Sequence, residues 1–198
     1  MQLIVATKNK KKLIEIKDLL QGLNLEIFSL ADFPDAPKIE EDGKTFEQNA
    51  IKKAATIAMY TKKLTLGEDS GLEVKALKNK PGIYSSRFSG ENATDKKNNL
   101  KLLRLLRNIP LDKRVAVYKC SVALVDRKKI IYLTTGKCEG KIGLRSRGKF
   151  GFGYDPLFIP KGFKETFGKL NPEIKRRISH RAKALKKLRP IFSEYSQK

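Results

Sequence analysis

Apolar and polar positions alternate in blocks along this chain, and the blocks change period. "QLIVA" (2–6) is a short apolar run that predicts a buried strand. Residues 10–21 carry Leu13, Ile16, Leu19 and Leu20 on one helical face. "LEIFSL" (25–30) reads as a second strand, and "ADFPDAPKIEEDGK" as a loop rich in proline and aspartate. A helix fits 45–62, with Thr45, Asn49 and Lys53 on one polar stripe. "LTLGEDSGLEV" reads as strand, turn and strand, and "KNKPGIYSSRFSGENAT" as loop. A helix fits 94–108, where Leu100, Leu103 and Leu106 recur. Runs 115–125 and 130–142 form a hairpin across Asp126 to Lys129. "GKFGFGYDPLF" is a glycine-rich loop leading into a short strand. A cationic helical region, 172–189, closes the pattern, with Ser179 as the alternative cap of a separate helix from His180. Strands and helices alternate around an antiparallel hairpin, so a mixed sheet in an α/β fold is expected.

Composition narrows the function classes. The 198 residues suit one domain or one two-lobed unit, and 40% apolar content argues against disorder. No apolar run reaches membrane-span length, and "LIVA" is too short for a signal-peptide core. Cys120 and Cys138 lack metal-type spacing, so a reduced, cytoplasmic protein is expected. With 43 basic and 21 acidic residues the net charge is +22, which admits nucleic-acid binding, an anionic substrate or plain lysine bias. The acids are scarcer and tell more. "EED" (40–42) is the one run of three, and Glu68–Asp69 the one other adjacent pair. A single histidine, His180, excludes a multi-histidine metal site. Any bound metal is therefore held by carboxylates, which favours Mg²⁺ or Mn²⁺.

Four constellations carry candidate chemistry, each with an ordinary structural explanation. "TKNKKK" lies between a strand and a helix, where free amides and the helix dipole attract phosphate; it is also an exposed basic helix start. "EEDG" and "GEDSG" offer oxygen ligands and a carboxylate to activate water; they also suit a helix entrance and a turn. "FGFGYD" brings glycines, aromatics to stack on a base and Asp155; it is also a strand-capping turn. "KRRISHRAK" supplies donor-only groups for a carbonyl oxygen; such a run is also a solvated face.

Their order along the chain carries a resemblance from residue 2 to about 189. "ATKNKKK", "EEDGKTFEQNAIKKA", "EDSGLEV", "PGIYSSRFSG" with "ATDKKNN", "GFGYDPLF" and "KRRISHRAKAL" together resemble the inosine/xanthosine triphosphate pyrophosphatases, which act on non-canonical purine nucleotides. The resemblance implies Mg²⁺-dependent hydrolysis of ITP, dITP or XTP to the monophosphate and pyrophosphate, with Mn²⁺ as a substitute. It implies an elongated α/β fold with a long mixed sheet, two lobes and a cleft between them, in a homodimer. Residues 1–198 would be one such domain, with 190–198 a mobile tail.

Carried over by position, the phosphate segment falls on Thr7, Lys8, Asn9, Lys10, Lys11 and Lys12, with Asn9 and Lys12 the pattern residues. Lys53 is the helical lysine. Glu41, Glu68 and Asp69 are the implied metal carboxylates, with Asp69 also the general base, and Ser70 contacts substrate. Phe152, Gly153, Tyr154 and Asp155 form the base loop, with Phe152 stacking, and Lys175, His180 and Arg181 recognise the base. Lysine and arginine at a 6-oxo group would leave adenine's amino group facing donors. Lys8 and Phe150 depart from the pattern, which commonly has a small residue and a glycine there. Two other hypotheses are a related pyrophosphatase for other modified nucleotides and a basic nucleic-acid-binding protein. The latter lacks an RRM or KH signature, and no specific nucleic-acid or membrane partner is expected.

Overall fold

The computed structural model describes residues 1–127 and 129–195. Six strands form one mixed sheet in the order β2-β1-β3-β4-β5-β6. These are β1 (Gln2–Val5), β2 (Glu26–Ser29), β3 (Thr65–Val74), β4 (Val115–Asp126), β5 (Lys129–Ile142) and β6 (Phe158–Pro160). β1 pairs in parallel with β2 and β3, while β5 and β6 pair antiparallel. Five α-helices accompany them: α1 (Lys10–Leu19), α2 (Phe46–Thr61), α3 (Asp95–Leu105), α4 (Pro172–Ile178) and α5 (His180–Tyr195).

The chain divides into two compact units. The first takes residues 1–69, 120–136 and 181 onward; the second takes 70–119 and 137–180. In the first unit β1 is buried on both faces, which is why "QLIVA" shows no alternation. Leu3 and Val5 pack with Ile16 of α1, with Leu20 just past its end, and with Leu185 and Leu188 of α5. Ile4 and Ala6 pack with Ile57 of α2 and Leu30. In the second unit Leu102 and Leu106 join Leu72, Tyr118, Phe158 and Phe167 in a separate core.

Two elements differ from the sequence expectation, and a third takes the alternative that the sequence offered. "LTLGEDSGLEV" is one continuous strand, and its Gly67 serves close packing rather than a turn. The buried stripe of α3 runs through Asn98, Leu102 and Leu106, whereas Leu100 is exposed: i, i+4 spacing won over the leucine repeat. The closing region breaks at Ser179, whose extended backbone separates α4 from α5, and α5 continues through Pro190. Of the expected tail, 196–198 lie outside the described residues. No helix among the described residues is long and apolar enough to cross a membrane.

Candidate active site

The first cluster depends on how closely α2 approaches β3. Ala50 and Ala54 present a small-residue face to the strand, and Gly67 lies beneath them. A Cβ on Gly67 would run into the Ala50 carbonyl and come within 2.7 Å of the Ala54 nitrogen. With nothing between the backbones, Asn49 and Lys53, one helical turn apart, reach Asp69. Asn49 Nδ2 donates to Asp69 Oδ2 at 3.0 Å, and Lys53 Nζ donates to Oδ1 at 3.2 Å. Asn49 Oδ1 also accepts from the Gly43 amide at 2.8 Å, which ties the loop bearing Glu41 to the start of α2. Glu41 accepts from Lys53 Nζ at 2.6 Å, so the ammonium lies between two carboxylates.

Glu68 joins a different group. Its Oε1 accepts from Arg181 Nη2 at 2.9 Å and its Oε2 pairs with Lys12 Nζ at 2.8 Å. Cys120 Sγ lies 3.3 Å from Oε1. Arg181 also pairs with Glu15, and its side chain is 1% exposed. The structure therefore gathers Glu15, Arg181, Glu68 and Lys12 on one side of β3, and Asn49, Lys53, Asp69 and Glu41 on the other.

The opening segment is organised by its own side chains. Asn9 caps α1, its Oδ1 accepting from the Lys11 and Lys12 amides at 3.0 and 3.1 Å. Thr7 Oγ1 accepts from the Asn9 amide at 3.1 Å. The short polar groups expected to donate to phosphate thus hold the turn that aims the segment. Lys8, Lys10 and Lys11 are exposed, while Lys12 lies against Glu68.

A second cluster forms within the second unit. Asp155 is buried and its Oδ2 accepts from the Phe152 amide at 2.8 Å and from Lys175 Nζ at 2.5 Å. Lys175 Nζ lies 4.6 Å from the Phe152 ring centroid, a cation–π contact. His180 is buried and stacks on Tyr118, with centroids 4.5 Å apart and planes 6° from parallel. Ser70, on β3, is half-buried.

The family model that describes the Ham1 family matches residues 3–191. The chain belongs to the Ham1 family. It is similar to the dITP/XTP pyrophosphatases of Desulforamulus reducens, at 47% identity over 98% of this chain and 96% of that one, and of Geobacter sulfurreducens, at 49% over 93% and 92%. Its fold matches a solved HAM1 protein from Coxiella burnetii with TM-score 0.88 and 38% identity, covering 98% of this chain and 99% of that one.

Electrostatics sharpens the first cluster of this Ham1 chain. Burial pushes the Asp69 carboxyl up, and with Glu41 and Glu68 nearby it stays raised despite Lys53 and Lys12. Burial also opposes the Glu68 carboxylate, but Arg181 and Lys12 outweigh it and hold the group well below the usual range. Burial would lower Lys53, yet Asp69 and Glu41 raise it. Neighbouring carboxyls driven apart in this way are what separate chemical roles require.

Among the described residues no three His, Cys, Asp or Glu side chains cluster as a metal cage. Glu41 and Asp69 nonetheless bracket a cation, the Lys53 ammonium, with oxygen donors only. That donor set suits a hard divalent ion. Glu68 does not join them, because it packs against Lys12 and Arg181.

Of the two departures from the Ham1 pattern, Lys8 is exposed. Phe150 has no left-handed backbone that would demand glycine, and its ring faces outward. Two polar residues received no site role from the sequence. Asn49 was legible one turn before Lys53 on the same stripe. Glu15 had no signal beyond being an acid in a lysine-rich helix.

Proposed function

We propose that this chain hydrolyses the non-canonical purine nucleoside triphosphates dITP, ITP and XTP to the monophosphate and pyrophosphate. The names and near-full-length match of its relatives support the substrate class. The observation that carries the chemistry is the buried Asp69 carboxylate, raised in pKa and oriented by Asn49 and Lys53.

In this reading Asp69 takes a proton from the water whose attack on phosphorus breaks the anhydride bond between the α- and β-phosphates, releasing pyrophosphate. Lys53 and Lys12 offset charge on the reacting phosphates and the leaving pyrophosphate. Glu41 and Asp69 would hold Mg²⁺, or Mn²⁺ in its place, and the ion would neutralise phosphate charge and acidify water. Glu68, pinned by Arg181, holds Lys12 in place. The segment Thr7–Lys12 and Ser70 contribute the remaining phosphate contacts.

Base choice belongs to the second cluster. Phe152 stacks on the purine, while Lys175 and His180 address the 6-oxo edge. Adenine offers an amino group there, which leaves donors unpaired. Residues 1–198 act as one functional domain, in a cytoplasmic homodimer.

The deciding experiment is pyrophosphate release from ITP, dITP, XTP, GTP and ATP with and without Mg²⁺. Release from ITP, dITP and XTP, dependent on the ion and far above that from ATP, is expected. Equal rates on ATP, or none on any purine, would overturn the assignment.

A further inference from the structure

The motif "ATDKKNN" found no role in the chemistry above, and its side chains reach the base loop. Three consecutive amides of that loop bond to side-chain oxygens rather than to a neighbouring strand. The Phe152 amide donates to Asp155 Oδ2 at 2.8 Å, the Gly153 amide to Asp95 Oδ2 at 2.9 Å, and the Tyr154 amide to the Tyr118 hydroxyl at 3.1 Å. Asn99 Nδ2 donates to the Gly153 carbonyl at 2.9 Å. Asp95 and Asn99 stand one turn apart on α3, so one helix face grips both sides of Gly153.

We infer that Asp95, Asn99 and Tyr118 are positioning residues for base selection, because their side chains set the backbone of Phe152–Tyr154. A loop held this way has no ladder to fall back on when a side chain is lost. Gly153 adopts φ +61°, a conformation accessible to glycine at little cost but not self-enforcing. Tyr118 does a second thing: the ring that stacks on His180 carries the hydroxyl that holds Tyr154. One residue thereby sets the loop and the histidine in register. Asn98, beside Asn99, bonds instead to the backbone of Ser85, Ser86 and Ser89, which anchors this end of α3.

The inference rests on the proposal that Phe152–Asp155 and His180 face the base. Tyr118→Phe removes one hydroxyl and keeps the ring stack; Asp95→Ala removes the acceptor, and Asp95→Asn restores an oxygen. Steady-state kinetics on ITP and ATP, with thermal melts, separate the outcomes. Tyr118→Phe and Asp95→Ala should raise KM for ITP about three- to tenfold and lower the ITP-over-ATP ratio of kcat/KM, with kcat for ITP little changed. Asp95→Asn should recover most of the loss. Unchanged KM and ratio, or a lower melting temperature alone, would overturn the inference. Phe152→Ala is the control. If it shifts the ratio while the other variants do not, only the positioning role fails. If it too leaves the ratio unchanged, the base-loop reading fails and takes the positioning role with it.

Discussion

Glu68 and Asp69 are neighbours in β3, yet their carboxylates serve opposite faces of the strand and are driven to opposite acidities. The two-residue period of a strand sends one towards α1 and α5 and the other towards α2. Glu68 meets Arg181 and Lys12 and stays a carboxylate. Asp69 is buried with two further acids nearby, which Lys53 and Lys12 do not offset, so its proton is held more tightly. One dipeptide thus carries a carboxyl held low and a carboxyl held high.

Asp69→Asn should fold and lose most turnover. General-base catalysis contributes roughly 10²- to 10⁴-fold, and a loss in that range is expected in pyrophosphate-release assays. Folding should survive: Asp69 with a raised folded pKa adds stability below its unfolded pKa and loses it as pH rises through the folded one, so at neutral pH little is forfeited. Near-normal rates would remove Asp69 from the mechanism.

The acid limb of the kcat/KM profile should lie above the ordinary aspartate range, because the base must be ionised and burial opposes that. Lys53 pulls Asp69 down, so in Lys53→Met the limb should move further up. Residual activity followed against pH tests this, and a limb that moves down contradicts it.

Gly67→Ala should separate α2 from β3. The added methyl meets the backbone of Ala50 and Ala54, which has no flexible end to swing away. Overpacking of this kind costs about 1–3 kcal/mol. Asn49 and Lys53 would also retreat from Asp69, so kcat should fall more than KM rises. Wild-type stability with wild-type kcat would mean that the close approach is dispensable.

Arg181→Ala should register first in stability. Breaking a buried pair costs about 3–5 kcal/mol, and Glu68 and Glu15 would both lose their guanidinium. The Glu68 contribution has a definite pH sign. Its folded pKa is depressed, so the stabilisation is present above the ordinary glutamate value and fades as pH falls through the lowered one. Melts of wild type and Glu68→Gln should therefore converge in acid. The ITP-over-ATP ratio of Arg181→Ala reports separately on base reading; a collapse in folded protein supports the base-recognition role that the resemblance implies, and an unchanged ratio counts against it.

The opening lysine run shows where sequence reading reaches and where it stops. Position in an ordered motif singled out Lys12 from Lys8, Lys10 and Lys11, and Lys12 alone of the four is paired with Glu68. That the partner is Glu68, itself anchored by Arg181, is not written in any local pattern. Asn9 was legible as a pattern residue, but only the backbone geometry makes it the cap of α1. The strand–turn–strand reading of "LTLGEDSGLEV" failed because glycine marks both turns and close packing, and the distinction lies in Ala50 and Ala54, on a helix that precedes it.

By itself the sequence determined the α/β class and the family, and it singled out the residues proposed for the phosphate and base groups. These follow from local periodicity and from motifs whose order survives without coordinates. The tertiary structure decided how those residues are partnered. It sent Glu68 to Lys12 and Arg181, brought Asp69 to Asn49 and Lys53, and set Asp95, Asn99 and Tyr118 around the base loop. Burial and charge act through distance in space, and residues 68 and 181 become neighbours only once the chain has folded.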